Sequence, residues 1–128
     1  MIFENFELLP KQNYQVVIFG SGPAGLTLAL ELEKKKISSL IIEAGEKSYS
    51  DISQDNYKSK IFGDVITDLR DSRLRQLGGT SGHWGGWCKP MEIWNLKKWK
   101  LRPEDISKYS VKTCEILDIP LNFKKTKI

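Results

Sequence analysis

The feature that most constrains this chain is a glycine triplet set directly behind a short apolar run. Val16, Val17, Ile18 and Phe19 are continuous, apolar and rich in β-branching. Such a run suits a strand buried on both faces, as in a parallel sheet. It stops at Gly20, and Gly20, Gly22 and Gly25 follow at G-x-G-x-x-G spacing. In that pattern the first glycine permits a tight turn. The second lets the backbone approach a pyrophosphate without an intervening side chain, and the third allows the next helix to pack closely on the strand. A helix beginning near Pro23 points its unpaired N–H groups and positive dipole end at phosphates. The expected structure is a dinucleotide cradle made of Gly20, Ser21, Gly22, Pro23, Ala24 and Gly25.

The triplet alone is a weak signal, and its surroundings strengthen it. Residues 24–36 are helical in pattern: Leu26, Leu28, Ala29, Leu30 and Leu32 mix with Glu31 and Glu33 and give way to Lys34, Lys35 and Lys36. Lysines in a last turn complement the helix dipole. Ser38 and Ser39 break the pattern, and Leu40, Ile41 and Ile42 form a second short apolar strand. Glu43 stands at its end, roughly twenty residues beyond the glycines, where an acid meets ribose hydroxyls. Ala44 and Gly45 then let the chain leave the sheet beside the nucleotide. Residues 14–45 therefore read as one βαβ unit with a fingerprint. The competing reading is a glycine-rich turn in some other βαβ unit.

Composition narrows the class. The 128 residues suffice for one domain, and 40% hydrophobic with 28% charged residues is a globular balance. The net charge of +4 is modest, with lysines concentrated late, at Lys97, Lys98, Lys100, Lys108, Lys112 and beyond. They read as a solvated surface and basic tail, because no nucleic-acid motif accompanies them. Cys88, Cys114 and the single histidine offer neither a disulfide framework nor metal-ligand spacing. The first residues lack a secretory pattern, and no apolar run approaches spanning length, so the expected setting is the cytoplasm, without a membrane span.

Taken in order, residues 1–13 form a lead-in that packs Phe3, Phe6 and Leu8 loosely. Residues 46–60 read as loop with a short helical turn, and residues 61–69 as either a short strand or an irregular connection. Residues 70–88, RDSRLRQLGGTSGHWGGWC, are the second informative stretch. Gly78, Gly79, Gly82, Gly85 and Gly86 interleave with His83, Trp84 and Trp87. So much glycine excludes a stable helix or central strand. Glycine doublets beside aromatics suggest backbone pressed against a flat ligand, and Arg70, Arg73 and Arg75 can offer bidentate contacts to phosphate or carboxylate. A coiled surface loop whose tryptophans cover core is the alternative. Arg102-Pro103-Glu104-Asp105 starts a helix over residues 103–117, which ends before Pro120.

The fingerprint, the Glu-Ala-Gly of residues 43–45 and RLRQLGGTSGHWGG together resemble the glucose–methanol–choline (GMC) flavin oxidoreductases. The likeness is nearest to the branch with pyranose oxidases and related sugar oxidoreductases. The resemblance implies an α/β, Rossmann-like FAD-binding domain over residues 1–90, with the fingerprint at 14–45 and a flavin-contacting loop at 73–88. Residues 91–128 would begin a connecting or substrate-domain segment. It also implies that Gly20, Gly22 and Gly25 approach the pyrophosphate and Glu43 the ribose. Gly78, Gly79, Ser81, His83 and Trp84 would lie along the flavin. Gly-Gly-Thr-Ser-Gly-His-Trp resembles the pyranose-oxidase pattern in which the histidine is bonded to the 8α carbon of the flavin. His83 is therefore a candidate for covalent attachment, the alternative being local packing beside the flavin.

The family's base, a histidine paired with histidine or asparagine, lies near the C-terminus of much longer proteins. This chain has no histidine besides His83, and two parallel strands with one helix leave apolar faces and edges to cover. The expectation is the N-terminal, incomplete part of a flavoenzyme (a truncated frame, a fragment or one part of a split protein), with no catalytic residue of its own. Its partners would be an alcohol or sugar substrate and the missing C-terminal half, with no nucleic acid. Two other readings remain open: part of an NAD-dependent dehydrogenase, or a nucleotide-binding module without catalysis.

Overall fold

The computed structural model describes residues 1–64, 67–83, 85 and 88–121. The chain divides into two compact units, Met1–Gly85 and Gly86–Ile128.

In the first unit, β1 (Val16–Phe19) pairs in parallel with β2 (Ser39–Ile42), Val16 opposite Ser39 and Phe19 opposite Ile42. Gly20 extends the ladder, its N–H donating to the Ile42 carbonyl at 2.8 Å. Below the sheet, Ser38 locks the other end: its Oγ donates to the Asn13 carbonyl at 3.0 Å and accepts from the Gln15 N–H at 3.2 Å. The crossover is α1 (Pro23–Lys34), with proline at its first position, where the missing N–H costs nothing. It ends with the Ile37 N–H on the Leu32 carbonyl at 3.0 Å and Lys36 in the left-handed region at φ 60°. This is the Schellman arrangement, with lysine where glycine is usual. The fold is thus α/β, a parallel pair and its helix, compatible with part of a Rossmann-like FAD-binding domain.

The structure departs from the sequence reading of β1. Only one face is covered: Ile18 is buried beneath α1, whereas Phe19 on the opposite face is 81% exposed. The lead-in differs as well, since a 3-10 turn at Phe6–Leu8 leaves Phe6 and Leu8 exposed and not packed. Asn5 caps that turn, and the local bonding needs no core.

After β2 the chain is organised by polar side chains. α2 (Asp51–Gln54) is capped by the Ser50 hydroxyl and continues into a 3-10 turn at Asp55–Tyr57. Of residues 61–69, Val65 and Ile66 lie outside the described residues, and the rest form no strand before α3 (Leu69–Ser72) begins. Gln54 is 1% exposed. Its amide nitrogen donates to the carbonyls of Arg70 and Arg73, and its Oε1 accepts from the Arg75 N–H at 3.0 Å. Ser53 adds a bond from its hydroxyl to the Arg75 carbonyl at 3.1 Å. These contacts bring residues 73–77 back beside β2, where Gln76 bridges Glu46 and the Leu77 N–H reaches the Glu46 carbonyl at 2.8 Å. Gly45 is needed at this crossing, because a Cβ there would stand 2.4 Å from the Arg75 carbonyl carbon. The glycine-rich segment was expected to exclude helix, yet Gly79–His83 form one 3-10 turn. A single turn asks little of glycine and uses the left-handed Gly78 and Gly79 to enter it.

The second unit is helical among its described residues: α4 (Ile93–Lys98), α5 (Pro103–Ser107) and α6 (Ser110–Leu117), with Leu96 and Cys114 buried. The sequence reading left α4 out and made α5 and α6 one helix. A tighter bond from the Tyr109 N–H to the Ile106 carbonyl at 2.9 Å separates them, between Ser107 and Ser110, residues that favour caps over helix interiors. At the start of α5 the Asp105 carboxylate accepts from the Arg102 N–H at 3.1 Å and from its guanidinium at 2.9 Å. Among the described residues no helix is long and apolar enough to cross a membrane.

The buried Gln54 amide gives the first expectation. Gln54→Ala removes three part-buried bonds and leaves the carbonyls of Arg70 and Arg73 without that donor, a loss of about 2–4 kcal/mol. Chemical denaturation followed by circular dichroism should show it, and Asn56→Ala, altering an exposed side chain, should cost far less.

Candidate functional site

At the ends of β1 and β2 the first unit opens a cleft of about 380 Å³. It is lined by Phe19, Gly20, Gly22, Ile42, Glu43, Ala44, Tyr57, Leu74, Gly79 and Thr80. The three fingerprint glycines have three different reasons to be glycine. Gly20 has φ +95°, which disfavours any side chain. Gly25 has no room: a Cβ there would sit 2.1 Å from the Gly20 carbonyl oxygen and 3.3 Å from Ile18 Cγ2. Gly22 has an ordinary φ of −66° and nothing within 4 Å of a Cβ. Its bareness keeps space open on the cleft side.

The first intrahelical bond of α1 is Leu26 N–H to the Gly22 carbonyl, at 3.0 Å. Gly22 supplies no capping side chain, and among the described residues no acceptor takes the N–H groups of Ala24 or Gly25. Those donors, at the positive end of a 12-residue helix, suit a phosphate.

Glu43 is held in place by the cradle itself. Its Oε2 accepts from the Ser21 N–H at 2.8 Å and the Ser21 hydroxyl at 2.6 Å, and its Oε1 accepts from the Gly45 N–H at 2.8 Å. Burial pushes the carboxyl pKa up, but the Ser21 hydroxyl and the N–H groups of Ser21, Gly45 and Ala44 outweigh it and hold it below the ordinary 4.5. The carboxylate is anchored and ionised, with lone-pair capacity left on Oε1 for a ligand hydroxyl.

The second motif meets the first at the same point. Ser21 is 1% exposed, and its hydroxyl accepts the Gly78 N–H at 2.9 Å. A Cβ on Gly79 would lie 3.9 Å from Gly22 Cα. Ser81 donates to the Gly78 carbonyl at 2.7 Å and Thr80 Oγ1 accepts from the Leu74 N–H at 3.0 Å, which fixes the turn. Gln76, below the turn, is 7% exposed and its Oε1 has no partner.

The structure thus gathers Gly20, Ser21, Gly22, Pro23, Ala24, Gly25, Glu43, Ala44, Gly78, Gly79 and Ser81 around or just behind one cleft. His83 ends the 3-10 turn with an exposed side chain. Trp84 lies outside the described residues. The arginines are engaged elsewhere. The Arg73 guanidinium donates to the Ser72 carbonyl at 2.9 Å and does not line the cleft. Arg70 is paired with Asp55 at 2.9 Å, and Arg75 donates to Ser53 Oγ at 3.2 Å. Sequence reasoning missed Tyr57 as a cleft residue, and it placed Leu74 and Thr80 inside the flavin-contacting loop at 73–88 without singling them out. Thr80 sits inside the glycine motif and could have been named, whereas nothing local distinguishes Tyr57 in its polar stretch.

Residues 13–62 match the family described as FAD binding domain. No match was found among curated proteins or among solved structures. The matched span holds β1, the glycine turn, α1, β2, Glu43 and Tyr57, whereas Leu74, Gly79 and Thr80 of the cleft lie beyond it. The chain carries an FAD-binding segment of the kind found in flavin-dependent oxidoreductases, and its cofactor is FAD. The free helix N–H groups, the open face of Gly22 and the anchored Glu43 fit that dinucleotide. The match favours FAD over a nicotinamide cofactor.

Two substitutions separate folding from binding. Gly25→Ala should destabilise the first unit by about 1–3 kcal/mol, since the clash is with backbone. Gly22→Ala should leave the melting temperature nearly unchanged and still weaken FAD, measured by flavin fluorescence titration, at least tenfold. A third expectation concerns pH. The folded-state pKa of Glu43 is depressed, so its ionised form stabilises the fold above pH 4.5 and that contribution is lost as pH falls below it. The stability advantage of the native chain over Glu43→Gln should fade across that acid window.

Proposed function

We propose that this chain serves an FAD-dependent oxidoreductase of the glucose–methanol–choline kind, acting on the CH–OH group of an alcohol or sugar. The observation that carries the reading is the Gly78–Ser21 hydrogen bond, which joins two motifs 57 residues apart. Such a pairing of a dinucleotide fingerprint with a G-G-T-S-G-H turn is what the resemblance to that family rests on. Nothing in a nicotinamide fingerprint calls for the second turn.

Bound FAD supplies the chemistry, accepting a hydride from the substrate carbon. The share of this chain is to bind and orient. The Ala24 and Gly25 N–H groups, with the bare Gly20 and Gly22, hold the pyrophosphate, while Glu43 accepts a ribose hydroxyl and Ala44 leaves room beside it. Gly78, Gly79 and Ser81 present backbone toward the flavin half, with His83 at the far end of their turn. Glu43 is committed to Ser21 and Gly45 and is not free to take a substrate proton. His83 is the candidate point of covalent attachment. That link would exchange a C–H bond of the 8α methyl and the imidazole N–H for a C–N bond, two electrons and two protons passing through the flavin to an external acceptor such as dioxygen. The unpaired Cys88 and Cys114 support a cytoplasmic setting.

The test is a visible spectrum of the purified chain, expressed with ample riboflavin, before and after acid precipitation. Flavin bands that stay with the precipitated protein, and are lost from it in His83→Ala, are the expected result. Flavin released to the supernatant would keep the FAD site and remove the covalent link. A folded protein that takes up no flavin would overturn the reading.

A further inference from the structure

Ser21 occupies the second position of the fingerprint, where the dinucleotide pattern asks only for a residue small enough to fit. In this chain it does more. The side chain is 1% exposed and makes a bond in each direction: its hydroxyl donates to Glu43 Oε2 at 2.6 Å and accepts the Gly78 N–H at 2.9 Å. One hydroxyl has one proton, and Glu43, ionised, can only accept. The direction of both bonds is therefore settled: Gly78 N–H to Ser21, Ser21 O–H to Glu43. Such a chain of bonds reinforces itself, each donor made more acidic by the partner behind it.

The turn at its far end has few other ties. Gly78 and Gly79 are both left-handed, at φ +82° and +64°, so the turn depends on glycine and on its bonds for its shape. Beyond the Ser21 contact it is held by the Gly79 N–H on the Gln76 carbonyl, by Ser81 on the Gly78 carbonyl and by the Leu74 N–H on Thr80 Oγ1, all within residues 74–81, and just ahead of it the Leu77 N–H reaches the Glu46 carbonyl. The Ser21 bond is the tie that connects it to the fingerprint.

We propose that Ser21 is a positioning residue that couples the two halves of the cofactor site, so that a nucleotide engaging Glu43 sets the Gly78–Gly79 turn. This inference rests on the FAD site described above and gives it an order. The adenosine end binds a carboxylate whose orientation is shared with Ser21, and the turn that faces the other end is fixed as a consequence.

The experiment is amide hydrogen exchange on the full 128-residue chain, free and with ADP, a probe that offers the adenosine end and no flavin. In the native chain ADP should raise protection at Ala24 and Gly25 and also at Gly78. In Ser21→Ala, protection at Ala24 and Gly25 should still rise with ADP. Gly78 should exchange about tenfold to a hundredfold faster than in the native chain and no longer respond. Equal ADP-induced protection at Gly78 in both proteins would overturn the coupling. So would its absence from the native chain when Ala24 and Gly25 respond. If ADP protects nothing in either protein, the nucleotide site itself has failed. The coupling is then judged on the free chains alone, where unchanged Gly78 exchange in Ser21→Ala rejects it. Should Ser21→Ala not fold, Ser21→Cys, which keeps the shape and weakens the acceptor, should give the same loss at Gly78.

Discussion

The closeness of α1 to β1 is the constraint on which the rest of this structure depends. It is set by the absence of a single carbon, because the Gly20 carbonyl occupies the place where a Cβ on residue 25 would be. With the helix drawn in that far, its first turn stands directly behind the end of β1. The N–H groups of Ala24 and Gly25 are left without an acceptor among the described residues. Serine, threonine or aspartate at position 22 would satisfy such donors internally. Gly22 cannot, and the unmet donors become a binding surface. A helix start that is weak by capping rules is thus what the ligand site requires.

The second motif reaches the cleft without a sheet to carry it there. Residues 73–77 share one bridge with Glu46, and regular ladder bonding stops at that point. The buried amide of Gln54 substitutes for a neighbouring strand, taking two carbonyls and an N–H of the returning chain, while Ser53 takes a further carbonyl. Side-chain amides are suited to this, since they carry donors and acceptors in the geometry of the peptide group. The cost is precision: the crossing at Gly45 tolerates no side chain, and Gln76 is left with a buried oxygen that has no partner.

What could be read from sequence follows from which forces leave a local trace. The strand, glycine turn, helix, strand and acid of residues 14–45 do, because periodicity and glycine placement are short-range signals, and element edges fell within a residue or two. Ser53, Gln54 and Gln76 leave none. The burial of Ser53 and Gln54 is balanced by hydrogen bonds to distant backbone, so a polar stretch that forms an internal scaffold looks like a polar loop. The arginines misled for the related reason that charge advertises reach and not direction. Arg70 was read as a ligand contact, but three residues around it, Asp51, Asp55 and Asp71, are acids at 3.5, 2.9 and 3.9 Å. The one-sided burial of β1 was hidden because Val17 and Phe19 are as apolar as Ile18.

Those exposed residues bear on how the fold and its ligand are related. Among the described residues of the first unit Ile18 is the one buried hydrophobic side chain. Val17 and Phe19 are bare on β1, as are Leu26, Leu28 and Leu30 on α1. Leucines at 28 and 32 lie on one stripe of the helix, those at 26 and 30 on another, so α1 is apolar on more than the side that meets the sheet. Hydrophobic burial within the unit is accordingly small, and the hydrogen-bonded nodes at Ser21 and Gln54 take a larger share of its stability than such groups usually do. A ligand that occupies the cleft adds RT ln(1 + [L]/Kd) to the folded state. It does so at Glu43 and the α1 N-terminus, beside the Ser21 node. FAD binding then adds directly to the stability of the first unit, where apolar burial supplies little.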